Sequence, residues 1–157
     1  FFFKQKTAYE ISTRDWSSDV CSSDLRLEWS VPAEADGVIV ELGANDALRG
    51  LPPETARRNL DEIVGRLTAR GQKVLVAGMV APRNLGASYA AAYDPIFADV
   101  ARKHGALHYP FFLDGVALHP ELTLPDGLHP NAEGVKVIVA GILPSVRDLL
   151  ARIAAGR

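Results

Sequence analysis

Hydrophobic positions along this chain alternate between short, nearly continuous apolar runs and longer stretches where they recur every three or four residues. Gly37-Val38-Ile39-Val40-Glu41-Leu42 is β-branched and almost unbroken, which predicts a buried strand ending at Gly43. Pro52 and Pro53 stand where helices begin, and Glu54 suits a first turn. Leu60, Ile63, Val64 and Leu67 then follow at helical spacing, and Gly71 closes the helix after Arg66 and Arg70. Residues 73–80 predict a second buried strand. After a loop, Ser88 is the simplest N-cap for a helix that carries Tyr89, Tyr93, Ile96, Phe97 and Val100 on one side, kinked at Asp94-Pro95. Residues 106–109 predict a third, short strand. Residues 110–125 form an irregular connection with Pro110, Pro120 and Pro125, of a length that is usually functional. Asn131 is placed to cap a last helix running through Val135, Ile138, Val139, Ile142, Leu143, Val146 and Leu150, with a bend at Pro144.

Strand alternating with helix is the signature of parallel strands joined by crossover helices, so the predicted class is a three-layer α/β/α fold. In such sheets chemistry gathers at the carboxyl ends of the strands. The stretches after the first strand and before the last helix are therefore candidates for one shared rim.

Composition narrows the picture. A chain of 157 residues with 48% apolar and 23% charged residues suits one globular domain. A net charge of −2 with no basic run points away from nucleic acid and anionic membrane surfaces. No apolar run is long enough for stable membrane insertion. The single cysteine, Cys21, allows no internal disulfide and no cysteine metal cluster. Residues 1–25 differ from the rest: they show no periodicity and hold Cys21 and five of the eight serines. Phe1-Phe2-Phe3 is too short for the apolar region of a signal peptide. The tract resembles the conceptual translation of a sequencing adapter. It is set aside as non-native, leaving 26–157 as the domain-forming part.

The main candidate for chemistry is Asp126-Gly127-Leu128-His129-Pro130-Asn131. A carboxylate three residues before a histidine can accept the imidazole Nδ1–H, fix the tautomer and leave Nε2 as a base for a hydroxyl nucleophile. His119 sits in a matching Leu-His-Pro tripeptide but has Val116 at minus three, so a rim role is expected for it. His104 is expected to be solvated near a helix end, and His108 to be structural. Asn45, in Gly43-Ala44-Asn45-Asp46, reads either as an oxyanion donor or as an ordinary turn residue. Asp46 is expected to brace that turn. Outside the tract the serines are Ser30 before the first strand, Ser88, whose context Gly86-Ala87-Ser88-Tyr89-Ala90 lacks the second glycine of a nucleophile elbow, and Ser145 inside the last helix. A metal reading of Asp114, His119, Asp126 and His129 lacks HExxH or paired-histidine spacing, so no metal is expected.

These two stretches carry a family resemblance. Val38-Ile39-Val40-Glu41-Leu42-Gly43-Ala44-Asn45-Asp46 resembles the third conserved block (GxND) of the SGNH, or GDSL-type, hydrolases. Asp126-Gly127-Leu128-His129-Pro130 resembles the fifth (DxxHP), and Pro110-Phe111-Phe112 is similar to the bacterial arylesterase, thioesterase and lysophospholipase branch. The resemblance implies a flavodoxin-like parallel sheet and an acyl-serine mechanism on small acyl or aryl esters or thioesters, without cofactor, in the periplasm or outside the cell. It implies His129 as base, Asp126 as its orienting acid, Asn45 as oxyanion donor and Gly43 as turn-shaper. Leu48 and Leu51 would lie on a mobile substrate loop.

The serine-bearing first block and the glycine-bearing second block have no counterpart. Ser22-Ser23-Asp24-Leu25 is only superficially similar to GDSL, because its serines precede the aspartate. The resemblance thus implies an N-terminally incomplete domain, lacking the first strand and helix and inactive as written. Loss of that strand would leave 37–42 as an unpaired edge. Two alternatives stay open: a carbohydrate (acetyl) esterase of the same superfamily, and a non-catalytic flavodoxin-like binding domain.

Overall fold

The fold is that of a computed structural model, which describes residues 2–3, 27 and 31–156. Apart from Phe2 and Phe3, the tract 1–25 lies outside the described residues, as does Ser30. One sheet holds β1 (Phe2–Phe3), β2 (Gly37–Glu41), β3 (Lys73–Ala77) and β4 (Leu107–Tyr109) in that spatial order. The three strands β2, β3 and β4 are parallel, with Val38 opposite Val74 and Leu75 opposite Leu107. They sit where the apolar runs predict them, each trimmed at its carboxyl end or start.

The expected unpaired edge on β2 is corrected. β1 pairs antiparallel with it, Phe2 opposite Val38 and Phe3 opposite Gly37. The partner comes from the tract set aside on sequence, because backbone N–H and C=O groups on a sheet edge accept any extended segment that reaches them.

Among the described residues these α-helices accompany the sheet: α1 (Ala44–Leu48), α2 (Pro53–Ala69), α3 (Ala87–Tyr93), α4 (Ile96–Lys103) and α5 (Ala132–Ala155). Side chains alternate across each strand and so build two cores. Val38, Val40, Val74 and Val76 meet Leu60, Val64 and Leu67 of α2 with Tyr93, Phe97 and Val100. Ile39, Leu75 and Ala77 face the other way, against Ile142, Leu149 and Ile153 of α5. The result is the three-layer α/β/α arrangement.

Four local expectations change. Asp94-Pro95 does not kink one helix but separates α3 from α4; the Asp94 carboxylate instead accepts the Ala81 N–H at 2.8 Å and pairs with Arg83 at 3.0 Å. Ser88 is not an N-cap, since α3 begins at Ala87 with Gly86 in the cap position and no side-chain cap. His104 is not solvated. Its side chain is only 19% exposed, packs over Gly65 and meets Asp61 Oδ1 through Nε2 at 2.8 Å. Finally, the segment after β2 is a short helix, α1, and not a simple turn.

Asn131 does cap α5: its Oδ1 accepts the Glu133 and Gly134 N–H groups, each at 3.0 Å. The helix then continues through Pro144.

Candidate active site

The direction of α5 brings the two candidate stretches to one rim. Near its end, Ile153 lies against Gly37 at the start of β2; earlier, Gly141 lies beneath the Tyr109 hydroxyl at the end of β4. The helix therefore runs antiparallel to the strands, and its N-terminus, with residues 126–131 before it, stands at their carboxyl rim. Asn45 follows the carboxyl end of β2 and reaches the same rim.

The Asp126–His129 turn is organised almost entirely by itself. Asp126 Oδ2 accepts His129 Nδ1–H at 2.6 Å. Its other oxygen, Oδ1, accepts the backbone N–H groups of Leu128 and His129 at 2.9 and 3.0 Å. Gly127 supplies the reversal with φ of +68°, and its N–H reaches the Leu124 carbonyl at 2.9 Å. The Leu124 N–H closes the loop on the His129 carbonyl at 2.7 Å. Three donors on one carboxylate hold Asp126 well below the usual range, at about 2, with the imidazole bond the largest cause. With Nδ1 committed to Asp126, Nε2 is the free ring nitrogen. It has no hydrogen-bond partner among the described residues, and the His129 side chain is 74% exposed.

The connection 110–131 is tied to the domain at both ends. Phe112 N–H donates to the Gly78 carbonyl beyond β3 at 2.8 Å. The Asn131 N–H donates to the Leu122 carbonyl at 2.9 Å, and its side-chain amide donates to the Glu121 carbonyl, also at 2.9 Å. Asn131 thus caps the helix and anchors the loop at once. His119, the comparison histidine, bonds Glu121 through Nδ1 at 3.0 Å, an exposed pair on the outside of this loop. His108 is half-buried, its Nε2 lacks a partner, and burial pushes its pKa down.

Asn45 is exposed in the first turn of α1. That helix starts on Gly43, whose φ of +103° is a left-handed conformation suited to glycine. A Cβ there would also come within 2.7 Å of the Tyr93 hydroxyl. Asp46 braces the segment through its main chain, its carbonyl accepting the Leu51 N–H at 2.9 Å. Its side-chain Oδ1 is buried without a partner, and burial raises the carboxyl pKa against the opposing pull of Arg49. Leu48 is 49% exposed, whereas Phe111 and Phe112 are partly buried against the cores.

Neither described serine hydrogen-bonds the His129 ring: Ser88 lies at the start of α3 and Ser145 within α5. Among the described residues no group of three or more His, Cys, Asp or Glu side chains could hold a metal ion. No helix among them is long and apolar enough to cross a membrane. A groove between α2 and α4 is lined mainly by charged side chains, among them the pairs Arg57–Asp99 at 3.2 Å and Lys103–Asp61 at 2.7 Å.

With the Asp–His pair placed on the carboxyl rim of a parallel α/β sheet, comparison with known proteins gives the family. Residues 6–137 match the model of the GDSL-like lipase/acylhydrolase family, a range that starts inside the tract set aside on sequence. The chain belongs to this family. It is 34% identical over 113 residues to the esterase TesA of Pseudomonas aeruginosa, covering 72% of this chain and 56% of that one. It is 31% identical over 113 residues to thioesterase 1/protease 1/lysophospholipase L1 of Escherichia coli, covering 72% and 54%. Among solved structures, the SGNH-hydrolase family esterase AlinE4 superposes with a TM-score of 0.64 at 40% identity, over 83% of this chain and 71% of that one. The chain spans about half the length of the curated relatives it matches.

Proposed function

We propose that this sequence is the base-bearing part of a serine esterase or thioesterase acting on small acyl or aryl esters, in the periplasm or outside the cell. One observation carries the reading: the 2.6 Å bond from His129 Nδ1 to Asp126 with Nε2 left open. In this mechanism Nε2 removes the proton of a serine hydroxyl as it attacks the ester carbonyl, and Asp126 stabilises the imidazolium that forms. Asn45 donates its side-chain N–H to the oxygen that becomes negative. His129 then returns the proton to the leaving alcohol or thiol, and the acyl-serine is hydrolysed by water activated in the same way. Leu48 and Leu51 border the acyl group. No cofactor is needed.

We further propose that 26–157 is the C-terminal part of one such domain, and that the chain as written is inactive: neither described serine, Ser88 or Ser145, hydrogen-bonds His129, and the sequence has no counterpart of the family's serine-bearing block. The surface of α5 supports this. Beside its buried Ile138, Ile142, Leu149 and Ile153 runs a second apolar stripe, Val135, Val139, Leu143 and Leu150, exposed by 39–53%. Gly141, on the opposite flank, is the one turned toward β4. The stripe therefore faces the β2 side of the sheet, where a crossover helix beside α5 would cover it.

The test is hydrolysis of p-nitrophenyl butyrate by purified 1–157 and by its His129→Ala variant. The expected result is no turnover above the variant's background. Turnover by 1–157 that His129→Ala abolishes would overturn the inactivity.

A further inference from the structure

Tyr89 and Tyr93 stand one turn apart on α3, and their hydroxyls reach the two ends of the segment that carries Asn45. Tyr93 Oη donates to the Gly43 carbonyl at 2.6 Å. Tyr89 Oη donates to the Leu51 carbonyl at 2.8 Å. The two rings stack with centroids 5.8 Å apart, and Tyr93 meets Phe97 edge-on at 5.5 Å. Tyr93 is fully buried, so its ring has no other rotamer to adopt without opening the core.

The backbone bonds of the clamped segment are local. Helix α1 has no side-chain cap, and Ala47 is its one buried residue. Residues 48–50 are exposed. Local bonds, Ala47 N–H to Gly43 at 3.1 Å and Leu51 N–H to Asp46 at 2.9 Å, close the segment on itself without tying it to the domain. The Gly43 carbonyl has two lone pairs; Ala47 takes one and the Tyr93 hydroxyl the other. Because that carbonyl belongs to the Gly43–Ala44 peptide, its orientation sets the direction in which α1 leaves the sheet rim, and with it the direction of the Asn45 side chain.

We propose that Tyr93 and Tyr89 are positioning residues acting as a two-point clamp, Tyr93 aiming the Asn45 amide and Tyr89 limiting the travel of the Leu48–Leu51 loop. The functional meaning of the clamp rests on Asn45 being the oxyanion donor proposed above.

The experiment uses 15N-labelled 1–157 with Tyr93→Phe and Tyr89→Phe, read by side-chain amide cross-peaks and backbone amide exchange. Removing the Tyr93 hydroxyl is expected to move the Asn45 side-chain cross-peaks and to speed exchange at Ala47 about tenfold, with Leu51 within about twofold of the parent. Removing the Tyr89 hydroxyl is expected to do the reverse, speeding Gly50 and Leu51 about tenfold and leaving Asn45 unmoved. A tyrosine serving stability alone would instead raise exchange evenly across α3 and the sheet. That even pattern, or unchanged Asn45 cross-peaks in Tyr93→Phe, would overturn the clamp. Should Tyr93→Phe not fold, Tyr89→Phe decides alone through Gly50 and Leu51. Failure of the oxyanion reading shows elsewhere, as an Asn45→Ala variant of a serine-bearing form that keeps its kcat.

Discussion

Asp126 holds His129 with one carboxylate oxygen and the backbone beneath it with the other. Oδ2 takes the imidazole Nδ1–H at 2.6 Å, and Oδ1 takes the N–H groups of Leu128 and His129. Ring and main chain are thus oriented by the same side chain, so the position of Nε2 does not depend on distant contacts. This is why an exposed pair can keep a defined geometry.

The pair has a pH signature. A carboxyl held below its usual range stabilises the fold when ionised, so its contribution is complete above the ordinary aspartate value of 3.8 and is lost as pH falls through about 2. The Leu128 and His129 amide resonances should therefore titrate with a midpoint near 2. A midpoint at the ordinary value, or no coupling of these amides to an acid titration, would contradict the three-bond arrangement.

Asn131 joins the last helix to the loop that carries the pair. Asn131→Ala removes the cap of two N–H groups and both side-chain donations, to Glu121 at 2.9 Å and Thr123 at 3.3 Å. A loss of about 1–2 kcal/mol is expected in urea unfolding. Asn131→Asp keeps the cap and loses only the donations, so its loss should be the smaller. Equal losses would place the stabilisation in the loop anchors and not in the cap.

Gly134 sets packing against propensity. Alanine inside a helix is normally favoured over glycine by about 1 kcal/mol. Here a Cβ would collide with the Leu122 carbonyl oxygen and stand 3.2 Å from Val116 Cγ1. That carbonyl also accepts the Asn131 N–H. Gly134→Ala is therefore expected to destabilise by about 1–3 kcal/mol and to shift the His129 resonances. A more stable Gly134→Ala protein would show that the loop yields freely.

The sequence carried what is local. Continuous apolar runs placed β2 and β3, and Asn131 stands just ahead of a periodic apolar stretch, which placed its cap. The Asp126–His129 bond needed only the spacing of three and the intervening glycine. What stayed hidden depends on residues far apart in the chain. His104 looks like a free helix-end residue until α2 brings Asp61, 43 positions earlier, beneath it. Tyr89 and Tyr93 read as apolar-face residues, and nothing local reveals that their hydroxyls bond Leu51 and Gly43, 38 and 50 positions away. Helix α1 escaped because five residues started by a glycine carry too little periodicity to register. The antiparallel β1 escaped because two residues carry none.

The proposed role of His129 as the base of a serine hydrolase is open to direct measurement. Its most direct test is the kcat for p-nitrophenyl butyrate of this chain joined to a strand and helix bearing the family's Gly-Asp-Ser block, compared with its His129→Ala and His119→Ala variants. His129→Ala is expected to lower kcat by about a thousandfold while His119→Ala leaves it within about twofold. Full activity in the His129→Ala variant, or an equal loss in both variants, would contradict it.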